Sequence, residues 1–396
     1  MTEPESFLLP LERLRARQCA KWTVYDADVL PAWIADMDFA LAPPVRAALA
    51  ARLAAEDLGY PKMYPRAGLD ALFAARMAAQ YGWQIQRQQV EFFSDVVQII
   101  HLALQTLIEP GDGVIIQTPI YPPFLQSVAE TGRRQLLCPL AQTDAGYQID
   151  FDALAAACAD GARMLLLCHP HNPTGRAYTR DELEGLAALV RRYQLIVISD
   201  EIHADLMLVD RPHIPFATLG EDIAQRTITL TSPSKAFNLA GLVLAVAVFG
   251  SPALRAQFGR LTEHVRGGRS AFGISATAAA WEAGEPWLAA VKAQLRANRD
   301  TVSAFVSAHW PRVRHTPPEA TYLAWLDCRW LGLGEEPWRF FLREARVALS
   351  EGPSFGTDGA GFVRLNFATS PAILAEILAR MDRALTIAGK SRPAAR

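Results

Sequence analysis

Three runs decide the fold: MLLLCHPHNPTG (164–175), LIVISDEIH (195–203) and TITLTSPSK (227–235). Each begins as a short apolar or β-branched stretch and ends in polar groups that a core would not hold. Helical spacing fills the gap between the first two. Thr179 with Glu182 three residues on makes a capping box, and the helix it opens runs to about Tyr193. Strands alternating with helices predict β–α crossovers and a mainly parallel sheet covered on both faces. In such a sheet ligands bind outside the carboxyl ends of the strands. The polar clusters at 169–175, 200–203 and 232–235 are therefore expected along one edge.

The alternation extends outward from there. Strands are expected at 90–94, 114–117 and 134–139, and helices at 96–108 and 151–159, with another ending near Thr131. The apolar run 239–249 reads as one more strand, buried on both faces. Towards the N-terminus, helical spacing starts at Val45, Leu49 and Leu53, and a second helix fits 69–81. Residues 1–42 have few periodic apolar positions and several prolines and acids, which suggests an arm lying over something else. Towards the C-terminus, Trp287, Leu288, Val291, Leu295, Val302 and Phe305 mark a long helix. A helix near 337–347, a strand at 362–368 and a terminal helix from Pro371 complete a second, smaller α/β unit. The expected division is an N-terminal arm (1–45) contributing to the small domain, a large domain (46–286) and a small domain (287–396).

Composition narrows the function classes. The chain has 396 residues, 51% apolar and 20% charged, so it is neither disordered nor a small disulfide scaffold. A net charge of −2 gives no electrostatic reason to expect nucleic acid or an anionic membrane as partner. Five cysteines at irregular spacing, with no C-x-x-C pair, read as free thiols in a reducing cytoplasm. No secretory signal or membrane-spanning run is visible.

Convergence of strand ends would gather Asn172, Asp200, Ser232, Ser234 and Lys235. Each alone has a structural reading as a turn, cap or loop. Together they suit one chemistry. A lysine among hydroxyls can form a Schiff base with a carbonyl cofactor. An aspartate at the nitrogen of a pyridine ring would keep that ring protonated and electron-withdrawing. Pyridoxal 5'-phosphate needs both, together with a phosphate site. The helix opening at Asp95, Val96 and Val97 offers free N–H groups and a positive dipole end for that phosphate.

The segments HNPTG, SDEIH and SPSKAFNLAGL resemble the fold-type I pyridoxal-phosphate enzymes of the class I/II aminotransferase superfamily. LPAWIADMDFA (30–40), GYPKMYPR (59–66), QTPIYPPF (117–124), RPHIPFATL (211–219), ATYLAWLD (320–327) and GFVRLNFA (361–368) are similar to its MalY/PatB branch of cystathionine β-lyases and related C–S lyases. The likeness covers nearly the whole chain. It implies that Lys235 carries the cofactor and moves the proton, Asp200 meets the ring nitrogen, and Asn172 meets the ring oxygen and the substrate carboxylate. It implies further that Tyr121 stacks on the ring, that His203 lies near the ring oxygen, and that Arg364 clamps the substrate α-carboxylate. Ser232, Ser234, Val96 and Val97 would surround the phosphate, with Tyr60 donated by the other subunit of a homodimer. Many aminotransferases carry a phosphate-binding arginine soon after the lysine. Residues 236–248 contain none, as in the MalY/PatB branch.

Other motifs are discounted. GPSFG (352–356) matches the G-x-S-x-G elbow, but GTDGAG follows and cannot start a helix. His169 and His171 lack a third ligand, so no metal is expected. His101 reads as a satisfied core histidine. Two reactions remain open, C–S β-elimination and amino transfer. A non-enzymatic scaffold need not keep Lys235, Asp200 and Arg364 together.

Overall fold

The computed structural model describes residues 7–61, 68–143 and 146–390. In chain order the strands that matter are β1 (Leu30–Ala32), β2 (Val90–Phe93), β3 (Gly113–Thr118), β4 (Arg134–Pro139), β5 (Ala162–Cys168), β6 (Ile196–Asp200), β7 (Thr227–Thr231), β8 (Ala245–Phe249), β9 (Arg314–His315), β10 (Leu323–Asp327), β11 (Val347–Glu351) and β12 (Phe362–Asn366). The helices are α1 (Pro43–Ala54), α2 (Leu69–Tyr81), α3 (Val96–Leu107), α4 (Pro122–Glu130), α5 (Phe151–Ala159), α6 (Arg180–Tyr193), α7 (Pro233–Ala236), α8 (Ala271–Ala283), α9 (Glu285–His309) and α10 (Pro371–Ile387).

One sheet has seven strands in the order β2-β8-β7-β6-β5-β3-β4, and only β8 runs against its neighbours. Its central strands are apolar on both faces because helices cover both. Ile116, Leu166, Ile198 and Leu230 meet Ile99, Ile100 and Ala103 of α3. Ile115, Leu165, Leu167 and Val197 point the other way, onto Leu183, Leu186 and Val190 of α6. The side-chain period of two thus feeds two separate cores.

The second sheet has the order β1-β11-β12-β10-β9. Val302 and Val306 of α9 and Leu374 and Ile377 of α10 share its core with Leu323 and Leu365. The N-terminal segment contributes one strand to this sheet. β1 pairs in parallel with β11, Leu30 opposite Val347, so the arm forms an edge of this sheet.

The structure departs from expectation at four points. Only residues 245–249 of the 239–249 run form a strand. Asn238 and Val243 adopt positive φ (56° and 46°), and the chain turns before entering β8. The helix expected over 337–347 ends at Ala345, Arg346 turns at φ 53°, and Val347 opens β11. Helix α8 was not anticipated. His101 is satisfied by Ser127 and Glu130, each at 3.0 Å, but its side chain is partly exposed rather than core.

Candidate active site

Parallel β5, β6 and β7 end at one edge, with Cys168 opposite Asp200 and Asp200 opposite Leu230. The loops beyond carry Asn172, His203, Ser232 and Lys235. β3 ends at Thr118, three residues before Tyr121, and β2 leads into α3 at Asp95. The second sheet approaches this edge through Arg364 of β12. Its Nη1 donates to Asn172 Oδ1 at 3.0 Å, which joins the two halves of the site.

Arg364 is buried and held entirely by neutral groups. Nη2 donates to Trp33 O at 3.1 Å and to Ser350 Oγ at 3.0 Å, and the guanidinium lies 4.9 Å above the Phe355 ring. No carboxylate among the described residues pairs with it. Burial pulls its pKa down to about 10, against a partial opposing effect of the Tyr121 and Tyr322 phenols. A buried planar guanidinium without a carboxylate partner is suited to recognising one.

Lys235 sits on the single turn α7, and its Nζ donates to Ala35 O at 3.0 Å. Burial lowers its pKa. Asp200 is buried, and its Oδ1 accepts from the Ile202 N–H at 3.0 Å. Burial raises its pKa to about 7 despite that hydrogen bond. Burial disfavours the ionised carboxylate, the Lys235 charge offsets that only in part, and a protonated ring nitrogen would add a second cation. His203 is buried with Nδ1 unpartnered. Burial and then the Lys235 and Arg364 charges press its pKa down to about 3, so it stands neutral. Tyr121 precedes α4. Burial raises its phenol pKa, and the charges of Arg364, Asp200 and Asp95 all act on it.

The phosphate end differs in part from expectation. Asp95 turns back to cap α3, its Oδ1 accepting from Gln98 N at 2.8 Å. The cap leaves the N–H groups of Val96 and Val97 without an intrahelical acceptor but keeps the carboxylate at the helix mouth, where its charge opposes that of a phosphate. Ser232 is committed elsewhere. It caps α7 and donates to Leu244 O at 2.6 Å, so it has no proton to offer a phosphate in this arrangement. Ser234 Oγ contacts Ser232 Oγ and is more open. Tyr60 is fully exposed and joins nothing in the site within its own chain, and most of GYPKMYPR lies outside the described residues.

The residues present fit pyridoxal 5'-phosphate. Lys235 can meet its aldehyde, Asp200 its ring nitrogen, and the start of α3 its phosphate. Ser354 of GPSFG lies in a 3-10 turn after β11 and donates to Glu351 O at 2.8 Å. No cluster of three or more metal-ligating groups occurs among the described residues.

Several residues of this site carried no individual role in the sequence reading: Trp33, Ala35, Tyr322, Ser350 and Phe355. Two act through backbone carbonyls, which leave no mark on residue type. The stretches 30–40 and 320–327 were distinguished only by resemblance.

Residues 34–381 match the family described as aminotransferase class I and II. The chain is 37% identical to cystathionine beta-lyase PatB of Bacillus subtilis, covering 91% of this chain and 93% of that protein. It is 34% identical to a cystathionine beta-lyase of Corynebacterium glutamicum, over 95% of this chain and 99% of the relative. Among solved structures it is similar to cystalysin from Treponema denticola, which contains a pyridoxal 5'-phosphate cofactor. That match has a TM-score of 0.91 and 29% identity, covering 98% of this chain and all of the other.

Proposed function

The chain belongs to the aminotransferase class I and II family, and from that premise we propose that it is a pyridoxal-phosphate-dependent C–S β-lyase. It cleaves cystathionine or another S-substituted cysteine to a thiol, pyruvate and ammonia. The observation that carries this reading is the buried Arg364 guanidinium, which has only neutral partners and shares Asn172 with the edge that bears Lys235 and Asp200.

When bound, the cofactor supplies an aldehyde that condenses with amines and a cationic heterocycle that accepts the electron pair left at Cα. The residues do the rest. Arg364 and Asn172 bind the substrate α-carboxylate and so fix the orientation of Cα. Lys235 Nζ, with its proton affinity lowered by burial, takes the Cα proton. Asp200 holds the proton on the ring nitrogen. Tyr121 covers the site and retains its own phenolic proton. The sulfur on Cβ then leaves with its bonding pair and takes up a proton to become the thiol, the electron pair from Cα closes a Cα–Cβ double bond, and water hydrolyses the released enamine to pyruvate and ammonia.

The same groups serve amino transfer, and the cystathionine β-lyases among the relatives favour elimination. The test is pyruvate release from cystathionine with no 2-oxo acid present. Stoichiometric pyruvate supports the lyase. Activity only with a 2-oxo acid, and no pyruvate from S-substituted cysteines, makes the enzyme an aminotransferase.

We also propose a homodimer and the arm, large-domain and small-domain division given above. Leu53, Leu58 and Tyr60 leave large apolar side chains exposed at and just beyond the end of α1. A second copy covering that face would bring Tyr60 towards its neighbour. No helix among the described residues is long and apolar enough to cross a membrane, and the five thiols are unpaired. A cytoplasmic location agrees with both.

A further inference from the structure

Tyr322 is a wholly buried phenol that the reaction above does not use. Its hydroxyl donates to Ala35 O at 2.7 Å, and Lys235 Nζ donates to the same oxygen at 3.0 Å. That oxygen belongs to a stretch of arm whose carbonyls are gripped one after another. Ser350 Oγ and Arg364 Nη2 hold Trp33 O. Asn366 Nδ2 holds Ile34 O and Asp36 O, each at 2.7 Å, and Lys21 Nζ also reaches Asp36 O. Arg17 and Asn238 hold Met37 O. The Ala35 carbonyl is therefore a fixed acceptor that cannot follow the lysine as it moves.

A carbonyl oxygen has two lone pairs, and here both have donors. A phenol donating into one draws electron density from the oxygen and weakens it as an acceptor for an ammonium on the other. We propose that Tyr322 is a positioning residue which, through the Ala35 carbonyl, berths the free amine of Lys235 and keeps it poor in protons, ready for the Cα proton. This rests on the reading of Lys235 as the cofactor-bearing base.

The charges around that amine are mixed. Asp36 of the arm and Asp200 of β6 favour the ammonium, while burial and Arg364 of β12 oppose it. His203, neutral, stands edge-on to the Tyr322 ring at 6.1 Å. Burial and Asp36 hold the Tyr322 phenol well above its ordinary pKa, so it remains a donor across the working pH range.

The test uses the full-length chain with Tyr322→Phe, which removes the hydroxyl and keeps the ring. In cofactor-stripped protein, acetic anhydride labelling of Lys235 is followed against pH by peptide mass spectrometry. The midpoint is expected to rise by about one pH unit, roughly a tenfold loss of free amine at fixed pH. In the holoenzyme the acidic limb of kcat should move the same way, with KM changed by less than about twofold. A second protein with 3,5-difluorotyrosine at 322, a stronger donor, should move the midpoint downward. Unmoved midpoints, or shifts of the same sign in both, overturn the proposal. If the phenylalanine variant melts early, the difluoro protein decides alone. Borohydride reduction of each holoenzyme keeps the two ideas apart. Cofactor fixed on another lysine defeats the underlying reading, whereas cofactor on Lys235 with unmoved midpoints defeats only the role of Tyr322.

Discussion

Replacing Arg364 with methionine should weaken substrate binding severely and leave the cofactor-free fold no less stable. The guanidinium is buried among Asn172, Trp33 O, Ser350 and Phe355, with no carboxylate to neutralise it. Its pKa falls from 12.5 to about 10, so holding the charge costs the folded state about 3 kcal/mol. Methionine carries no charge and fills the inner part of the same space, its chain ending about where the guanidinium begins. Its burial offsets the three lost hydrogen bonds, which contribute about 1.5–3 kcal/mol each to a charged group before the cost of burial. With substrate the balance inverts. A carboxylate about 4 Å away at an effective dielectric near 20 is attracted by about 4 kcal/mol, a factor of roughly a thousand. KM for an S-substituted cysteine, read by pyruvate release, should therefore rise about a hundred- to a thousandfold, with kcat changing much less. The melting temperature of the cofactor-free variant should match or exceed that of the parent. An unchanged KM would refute the clamp. A large loss of stability would show that the guanidinium already has an anionic partner and is not waiting for one.

Other expectations follow from the same geometry. Lys235→Ala should abolish turnover and the borohydride-reducible linkage, with an unchanged far-ultraviolet spectrum, because α7 is a single turn at the edge of the sheet. Residual pyruvate release at more than a few per cent of parent would point to another base. Asp200→Asn should lower kcat by roughly a thousandfold, from loss of about 4 kcal/mol of attraction at the ring nitrogen, and a change under tenfold would count against that contact. The cofactor-free chain should also lose stability in mild acid. His203 titrates near 3 and His171 and His315 near 4, because burial disfavours their charged forms. Their folded pKa values lie below the unfolded value of about 6.5, so their contribution is present above that pH and is lost as pH falls towards 4. Asp200, raised to about 7, acts oppositely, its contribution fading as pH rises from about 4 to 7. Burial holds His169 well below its ordinary value too, so four histidines outweigh one carboxylate, and a melting temperature that rises between pH 7 and pH 4.5 would contradict the assignment.

The large sheet was legible because its strands are buried on both faces and end abruptly in polar groups. That discontinuity marked Asn172, Asp200 and Lys235 without any coordinates. Helix α8 escaped because AFGISATAAAWEA is small and apolar nearly all round, so it offers no helical stripe. The start of β11 was read into the preceding helix because no glycine or proline separates them, and the break comes from Arg346 at positive φ. At the site, residue type pointed to Ser232 as a phosphate donor, yet its hydroxyl caps α7 and donates to Leu244 O. The grip on Trp33, Ala35 and Met37 runs through backbone oxygens, and only folding reveals which carbonyl faces which side chain.

The central claim is that the amine of Lys235, and no other, carries the cofactor beside Asp200. The chain has five lysines, at 21, 62, 235, 292 and 390, so the claim can be mapped cleanly. Reducing the purified holoenzyme with borohydride and sequencing its peptides by mass spectrometry should place a single phosphopyridoxyl group on Lys235. The same modification on a different lysine, or none on a cofactor-loaded enzyme, would contradict the account.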